Sequence, residues 1–410
     1  MLIAGLLRRL VREGTLTVVD AGGRREVITG EKPGPRATVR MTDRQIERQL
    51  LTNPKLHFGE GYMDGRIVIE EGTLEDVLDL LTRNIAAIES SAGGRLRLWL
   101  GRALHFVLTH NPVGKAQKNV AHHYDLSGQL YDLFLDRDRQ YSCAYFATDN
   151  DSLEVAQHNK KLHLASKLLL EPGQKLLDIG SGWGGLGLYL AKLENIDVTG
   201  VTLSTEQQKV SAQRAREEGL ADRVRFHLRD YREQPGPFDR IVSVGMFEHV
   251  GPGHYREYFA KVKELLTEDG VMMLHSIGRM EPPGSTNPWL RKYIFPGGYT
   301  PALSEVLKAV EDVGLWVTDI EILRLHYAKT LHEWHRRFLQ NRDRIRTLYD
   351  ERFCRMWEYY LVGCEYAFRN LNQMVFQMQL TRRQDAVPLT RDYIADYERR
   401  NAAKVALAAQ

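Results

Sequence analysis

An apolar run that opens at Leu176-Leu177 passes through Asp178 and Ile179 into Gly180-Ser181-Gly182-Trp183-Gly184-Gly185. Glycines at this density let a backbone approach a ligand closely, and a helix beginning near Gly184 turns the positive end of its dipole toward that ligand. The run contains the GxGxxG spacing of a dinucleotide turn, which is weak evidence alone. Two features favour S-adenosylmethionine over NAD. Asp178 stands two residues before the first glycine, and the second strand ends in Gly200-Val201-Thr202-Leu203-Ser204, where a nicotinamide site would carry an acid for the ribose. Gln207 or a backbone group is then left to meet the ribose hydroxyls. After the third strand, Asp230 offers a carboxylate to an adenine amino group and Tyr231 a ring to stack on the base.

Four further segments carry reactive side chains: Tyr141-Ser142-Cys143-Ala144-Tyr145, Phe247-Glu248-His249, His275-Ser276-Ile277-Gly278 and His326-Tyr327. A Glu, a His, a Tyr and a Cys beside a methyl sulfonium can orient a small base or accept a proton. Glu248 ranks first, because an acid after an apolar strand is seldom filler, and His275 second. Cys143 and Tyr327 fit a core role equally well. His332-Glu333-Trp334-His335 lacks the HExxH spacing for zinc and is expected as a helix surface, and His122-His123 has no third ligand nearby, so no metal site is expected.

The elements that position these residues follow from periodicity. Strands are expected at 175–179, 197–201, 223–228, 239–244 and 270–276, with helices after 184 and at 205–218. Such alternation argues for an α/β domain with a parallel sheet covered by helices. Glu248 follows the fourth strand and His275 ends the fifth, so both should emerge at the cofactor edge. Helical patterns at 331–342 and 344–380 suggest a helical cap. Upstream, β-like runs at 15–19, 26–29 and 37–41 and helical patterns near 43–52 and 73–83, with a turn at Lys32-Pro33-Gly34-Pro35, describe a small α+β N-terminal domain. The stretch 95–109 forms a basic amphipathic pattern, with Arg95 and Arg102 on one side. It suits a phospholipid surface and a half-buried interdomain helix equally.

The 410 residues, 43% hydrophobic and 27% charged, suit two globular domains. A formal charge of +3 and the lack of any nucleic-acid-binding signature argue against a nucleic-acid partner. Three cysteines without a CxxC pair argue against a disulfide framework and a structural zinc, and fit a reducing cytoplasm. The N-terminus makes a poor signal peptide, and no uncharged run approaches the ~18 residues of a membrane span. Any membrane contact is expected to be peripheral.

At this point the motifs resemble those of the cyclopropane-fatty-acyl-phospholipid synthases, relatives of the mycolic acid cyclopropane synthases. The likeness covers about 115–395 through AHHYDLSGQLYDLFLD, YSCAYF, LDIGSGWGGL, VTLSTEQ, DRIVSVGMFEHVG, HSIG and YYLVGCEYAFRN, and HFGEGYMDGRI at 57–67 is similar to the N-terminal domain of the phospholipid-acting members. The resemblance implies a Rossmann-like S-adenosylmethionine methyltransferase fold at 111–400, preceded by a lipid-docking domain at 1–110. It implies methyl donation to a cis double bond of a phospholipid acyl chain, with a bound bicarbonate taking the proton as the ring closes.

Matched by motif, the base would lie among Cys143, Glu248, His275, the backbone of Ile277 and Tyr327. The cofactor would lie among Tyr141, Ser142, Gly180, Gly182, Thr202, Leu203, Gln207, Asp230 and Tyr231, with Asp178 beside them, and Cys364 matches the position marked as active-site cysteine. A thiolate beside a carbocation would risk alkylation, and Cys364 lies in an aromatic helical pattern where a buried neutral thiol is expected. Ser181 stands where the family often has Cys, a swap of small residues. The resemblance also implies a homodimer on the inner face of the membrane. A methyl-branched or methylene product shares the first step and stays open. A lipid-binding protein without catalysis is disfavoured by the intact loop and polar constellation.

Overall fold

The computed structural model describes residues 3–89 and 128–408. The basic stretch at 95–109 and His122-His123 lie outside the described residues. The described chain divides into two compact units that are not contiguous in sequence: 3–89 joins Gly284–Pro296 and Leu331–Gln373, and the remainder forms the second.

In the first unit, β1 (Glu13–Val19), β2 (Arg25–Thr29), β3 (Lys32–Met41) and β4 (Ile67–Glu71) form a sheet in the order β2-β1-β3-β4. β1 and β3 are parallel and the outer pairs antiparallel. Period-two burial puts Leu16, Val18 and Val39 into a core with Ile46, Val77 and Leu80 from the helices Arg44–Thr52 and Leu74–Glu89. The Pro-Gly-Pro stretch expected as a turn is the start of β3. Its register with β1 shifts between Glu13 and Thr15, and such a bulge is where prolines are tolerated in a sheet. Helices Arg342–Leu348 and Glu351–Asn370 complete this unit, the second capped by Asp350, whose side chain accepts from Phe353 N at 2.6 Å. His332-Glu333-Trp334-His335 is not simply a helix surface: Trp334 and His335 are buried, and His335 Nδ1 pairs with Glu75 at 3.1 Å.

The second unit is built on β5 (Lys175–Ile179), β6 (Asp197–Thr202), β7 (Val224–Leu228), β8 (Phe238–Val244), β9 (Leu266–Arg279), β10 (Trp316–Ile322) and β11 (Gln373–Thr381). Their order is β10-β11-β9-β8-β5-β6-β7. β5 to β9 run parallel, as expected from the alternation. Both sheet faces are buried, so neighbouring residues serve different cores: Leu177, Ile241 and Leu274 on one side, Leu176, Val242 and Met273 on the other. The antiparallel pair β10 and β11 was not anticipated, and 344–380 is not helical throughout. Gln373–Thr381 is rich in Met, Gln and Leu, all good helix formers, yet it is buried almost end to end in the sheet, where cross-strand packing overrides local preference. β9 also runs past its expected end, so His275 sits inside the strand. It remains level with the edge because it lies opposite Val244, the last residue of β8. Among the described residues no helix is long and apolar enough to cross a membrane.

Candidate active site

The chain leaves β5 toward β6 and β7 on one side and continues into β8 and β9 on the other. This reversal opens a crevice at the carboxyl ends of the strands, the usual ligand position of such sheets. All ten residues expected at the cofactor line that one cleft: Tyr141, Ser142, Asp178, Gly180, Gly182, Thr202, Leu203, Gln207, Asp230 and Tyr231.

The loop after β5 owes its shape to glycine. Gly180 has φ +82°, and a Cβ there would stand 2.8 Å from the Met246 Cβ. The N–H groups of Gly180 and Ser181 both donate to Val201 O at 3.0 Å, tying the loop to the end of β6. Asp178 is buried, and burial pushes its carboxyl up to about 7 against the opposing charge of Lys160. Its Oδ2 and the Ser181 Oγ have no protein partner, as expected of groups that await a polar ligand. Thr202 Oγ1 donates to Gln207 Oε1 at 3.0 Å, so what Gln207 has left for a ribose is its NH2 group. Asp230 accepts from Arg232 Nε at 2.9 Å and Nη2 at 2.6 Å. Burial acts to raise this carboxyl, but the Arg232 bonds outweigh it and hold Asp230 below its ordinary value.

Next to the cleft, Glu248 sits on the short turn Phe247–His249 that follows β8. Its Oε1 accepts from the Ile277 N–H at 2.7 Å, while Oε2 is shut away with no partner. Burial pushes this carboxyl up to about 7 against the Ile277 bond. The Ile277 N–H thus orients Glu248. His275, two residues earlier on β9, is buried, which drives its pKa well below the usual value and keeps the ring neutral.

Cys143 is buried, its thiol raised by burial, and Sγ donates to Ala144 O at 3.3 Å. Ala144 N donates to Thr330 Oγ1 and Phe146 N to His326 Nδ1, each at 3.0 Å. These bonds staple the Cys143 segment to the first turn of the helix His326–Gln340, where Tyr327 is buried. Cys364 belongs to the first unit, on the helix Glu351–Asn370, and burial pushes its thiol up to about 12. Both cysteines are therefore neutral thiols at physiological pH.

Sequence reasoning missed two lysines. Lys160 is fully buried on the helix Leu153–Leu168 and donates to Gln140 Oε1 at 2.7 Å and Ser142 Oγ at 2.8 Å, bracing the segment that lines the cleft. Burial lowers its pKa to about 8. Lys167, about two turns further along the same helix, is equally buried. The signal was present: 153, 156, 160, 164 and 167 form a single helical stripe, and lysines within an otherwise apolar stripe must find buried partners.

The sheet order, the glycine loop and the polar groups awaiting a ligand define an S-adenosylmethionine-dependent methyltransferase. Comparison with known proteins narrows the class. The family model "Mycolic acid cyclopropane synthetase" matches residues 113–378. The chain is 38% identical over 357 residues to the cyclopropane-fatty-acyl-phospholipid synthase of Escherichia coli, covering 87% of this chain and 90% of that protein. It is 34% identical over 403 residues to the tuberculostearic acid methyltransferase UfaA1 of Mycobacterium tuberculosis, covering 92% and 90%. Among solved structures, the mycolic acid cyclopropane synthase CmaA1 complexed with SAH and CTAB superposes with a TM-score of 0.62 at 34% identity, over 66% of this chain and 99% of that one. The chain belongs to the mycolic acid cyclopropane synthetase family.

Proposed function

We propose that this enzyme moves a methyl group from S-adenosylmethionine onto the cis double bond of an unsaturated phospholipid acyl chain and closes a cyclopropane ring. The carrying observation is Glu248, a buried acid with one oxygen oriented by Ile277 and the other unpartnered, two residues across from a neutral His275. Bound S-adenosylmethionine supplies an electrophilic methyl on a sulfonium. The new carbon–carbon bond leaves a cation on the acyl chain, and loss of a proton from the transferred methyl lets the second bond form.

The chain's own groups suit that sequence. Neutral Cys143 and neutral His275 put no nucleophilic anion or extra positive charge beside a carbocation. The donor set also fits a small oxyanion base. The unpartnered Glu248 oxygen can accept an O–H, and His275 and Tyr327 can donate, so we assign the binding of bicarbonate, a weak base for the departing proton, to Cys143, Glu248, His275, the backbone of Ile277 and Tyr327. Cys364, which matches the position marked as active-site cysteine, stays in the proposal as a neutral thiol.

Support for a lipid substrate comes from the relatives: one is a phospholipid-acting synthase, another a fatty-acid methyltransferase, and the solved one holds CTAB together with SAH. The second of these also keeps alive a methyl-branched or methylene product, reached when the proton leaves without ring closure. The proposal further includes docking of the 1–110 segment to the inner face of the cell membrane from the cytoplasm, catalysis by 111–400, and a homodimer.

Incubation with S-adenosylmethionine and vesicles of unsaturated phospholipid tests the reading. Acyl chains should gain about 14 Da, one methylene. A saturated ring on derivatisation supports cyclopropanation, a surviving double bond supports the branched alternative, and no mass gain overturns both.

A further inference from the structure

Behind His275 lies a chain of buried polar groups that the proposed chemistry does not use. Lys167 Nζ donates to Gln377 Oε1 at 2.7 Å and also to Glu321 Oε2. Gln377 Nε2 lies 3.2 Å from His275 Nδ1. Glu321 Oε2 meets His163 Nε2 at 2.7 Å, and His163 Nδ1 meets Glu398 Oε1 at 2.5 Å. Lys167, His163, Gln377 and His275 are all buried.

The direction of these bonds is forced at one end. An ammonium only donates, so Lys167 requires an acceptor and turns the carbonyl oxygen of Gln377 toward itself. The Gln377 NH2 is thereby turned toward His275 and can only donate. Nδ1 of His275 must then be the acceptor, and in a neutral ring the proton sits on Nε2. An imidazolium would bring an Nδ1–H against an N–H, so the same contact opposes protonation of the ring. Glu321 holds Lys167 in place, since a buried lysine persists only with a charge partner.

We propose that Gln377 and Lys167 are positioning residues for His275, holding it as the neutral Nε2–H tautomer so that it serves as a hydrogen-bond donor and never as a base. The proposal rests on the assignment of His275 to the proton-handling site made above. A donor at Nε2 orients an oxyanion base without removing its negative charge, whereas an imidazolium would repel the cation formed on the acyl chain. The opposite tautomer would offer a lone pair and compete for the same proton.

The test uses the full-length protein with 15N-labelled histidine, His275 being assigned by its loss in His275→Asn. In the wild type, the His275 signals should show a bare Nδ1 and a protonated Nε2, unchanged from about pH 6 to 8. In Gln377→Glu the new carboxylate keeps its pairing with Lys167 but accepts from His275, so the proton should move to Nδ1 and the ring should begin to titrate in that range. The kcat for lipid product should fall about 10- to 100-fold with the KM for S-adenosylmethionine little changed, the usual cost of disturbing a group behind a functional one. Gln377→Met, which perturbs packing without imposing an acceptor, should mix the tautomers and lose less activity.

A wild-type His275 protonated on Nδ1 overturns the proposal, as does a Gln377→Glu variant whose tautomer and kcat both match the wild type. The NMR readout needs no turnover. The expected tautomers in a protein that modifies no lipid would sustain the positioning role and discard the proposed function instead.

Discussion

Glu248 and Asp178 share a physical predicament, since each is a carboxyl removed from water with one oxygen left unpartnered. They differ in what they await. Glu248 sits with His275 rather than in the loop that cradles the cofactor. Glu248→Gln should therefore bind S-adenosylmethionine within about threefold of the wild type by calorimetry while losing about 100-fold or more in product formation, the scale of a lost proton-handling group. Unchanged product formation would remove Glu248 from the reaction.

Asp178 makes a prediction about stability. Its folded pKa is raised from 3.8 to about 7 by burial. A raised carboxyl stabilises the fold as the neutral acid below its unfolded value, and that contribution is lost as pH climbs through about 7. Asp178→Asn carries no ionisation penalty, so without ligand it should melt several degrees above the wild type at about pH 8 and lose the advantage near pH 4, a difference on the order of 4 kcal/mol. Equal melting profiles across that range would contradict the burial argument. These residues could be singled out by type and spacing, but their protonation could not, because it depends on how completely the packed fold shuts out water around them.

At the scale of elements, the loop after β5 works because its backbone occupies a conformation closed to other residues. Gly180→Ala places a Cβ at φ +82° and 2.8 Å from Met246. The left-handed backbone alone costs ~1–2 kcal/mol, and relief of the contact would displace the loop, so cofactor affinity should fall by about tenfold or more in a titration. In the first unit, Asp43 caps the helix Arg44–Thr52 by accepting from Gln45 N at 2.9 Å and Ile46 N at 3.0 Å, and it also takes two bonds from Arg66. Asp43→Ala should lower stability to urea by about 1–2 kcal/mol, with the methyltransfer rate per folded molecule unchanged.

Element legibility was uneven for the same local reasons. The strands β5 to β8 were clear because alternating strand and helix patterns are strong and turn residues separate them. β11 was not, since Met, Gln and Leu carry helix preference and only the neighbouring strands β9 and β10 make Gln373–Thr381 extended.

At the scale of the whole molecule, the proposed substrate lies in a bilayer while the described helices include none suited to crossing one. The docking proposed above for the 1–110 segment makes recruitment testable at a vesicle surface. Co-sedimentation with anionic vesicles should weaken as salt rises and on charge reversal of Arg95 and Arg102, because attraction between basic groups and an anionic surface is screened beyond ~8 Å at physiological ionic strength. Binding that survives both changes would exclude an electrostatic contribution from 95–109.

The sequence by itself determined the cofactor class, the five-strand parallel core and ten of the residues that line the cleft, because these depend on short-range patterns: glycines where the backbone must turn left, apolar runs where strands are buried on both faces. Only the tertiary structure decided how the reacting groups are tuned. Gln377 is a common residue in an unremarkable position until β11 enters the sheet and brings it against His275 and Lys167. Hydrogen-bond direction and burial are properties of the assembled neighbourhood, so the orientation of His275 and the raised carboxyl of Glu248 are written in the packing around them rather than in any one segment.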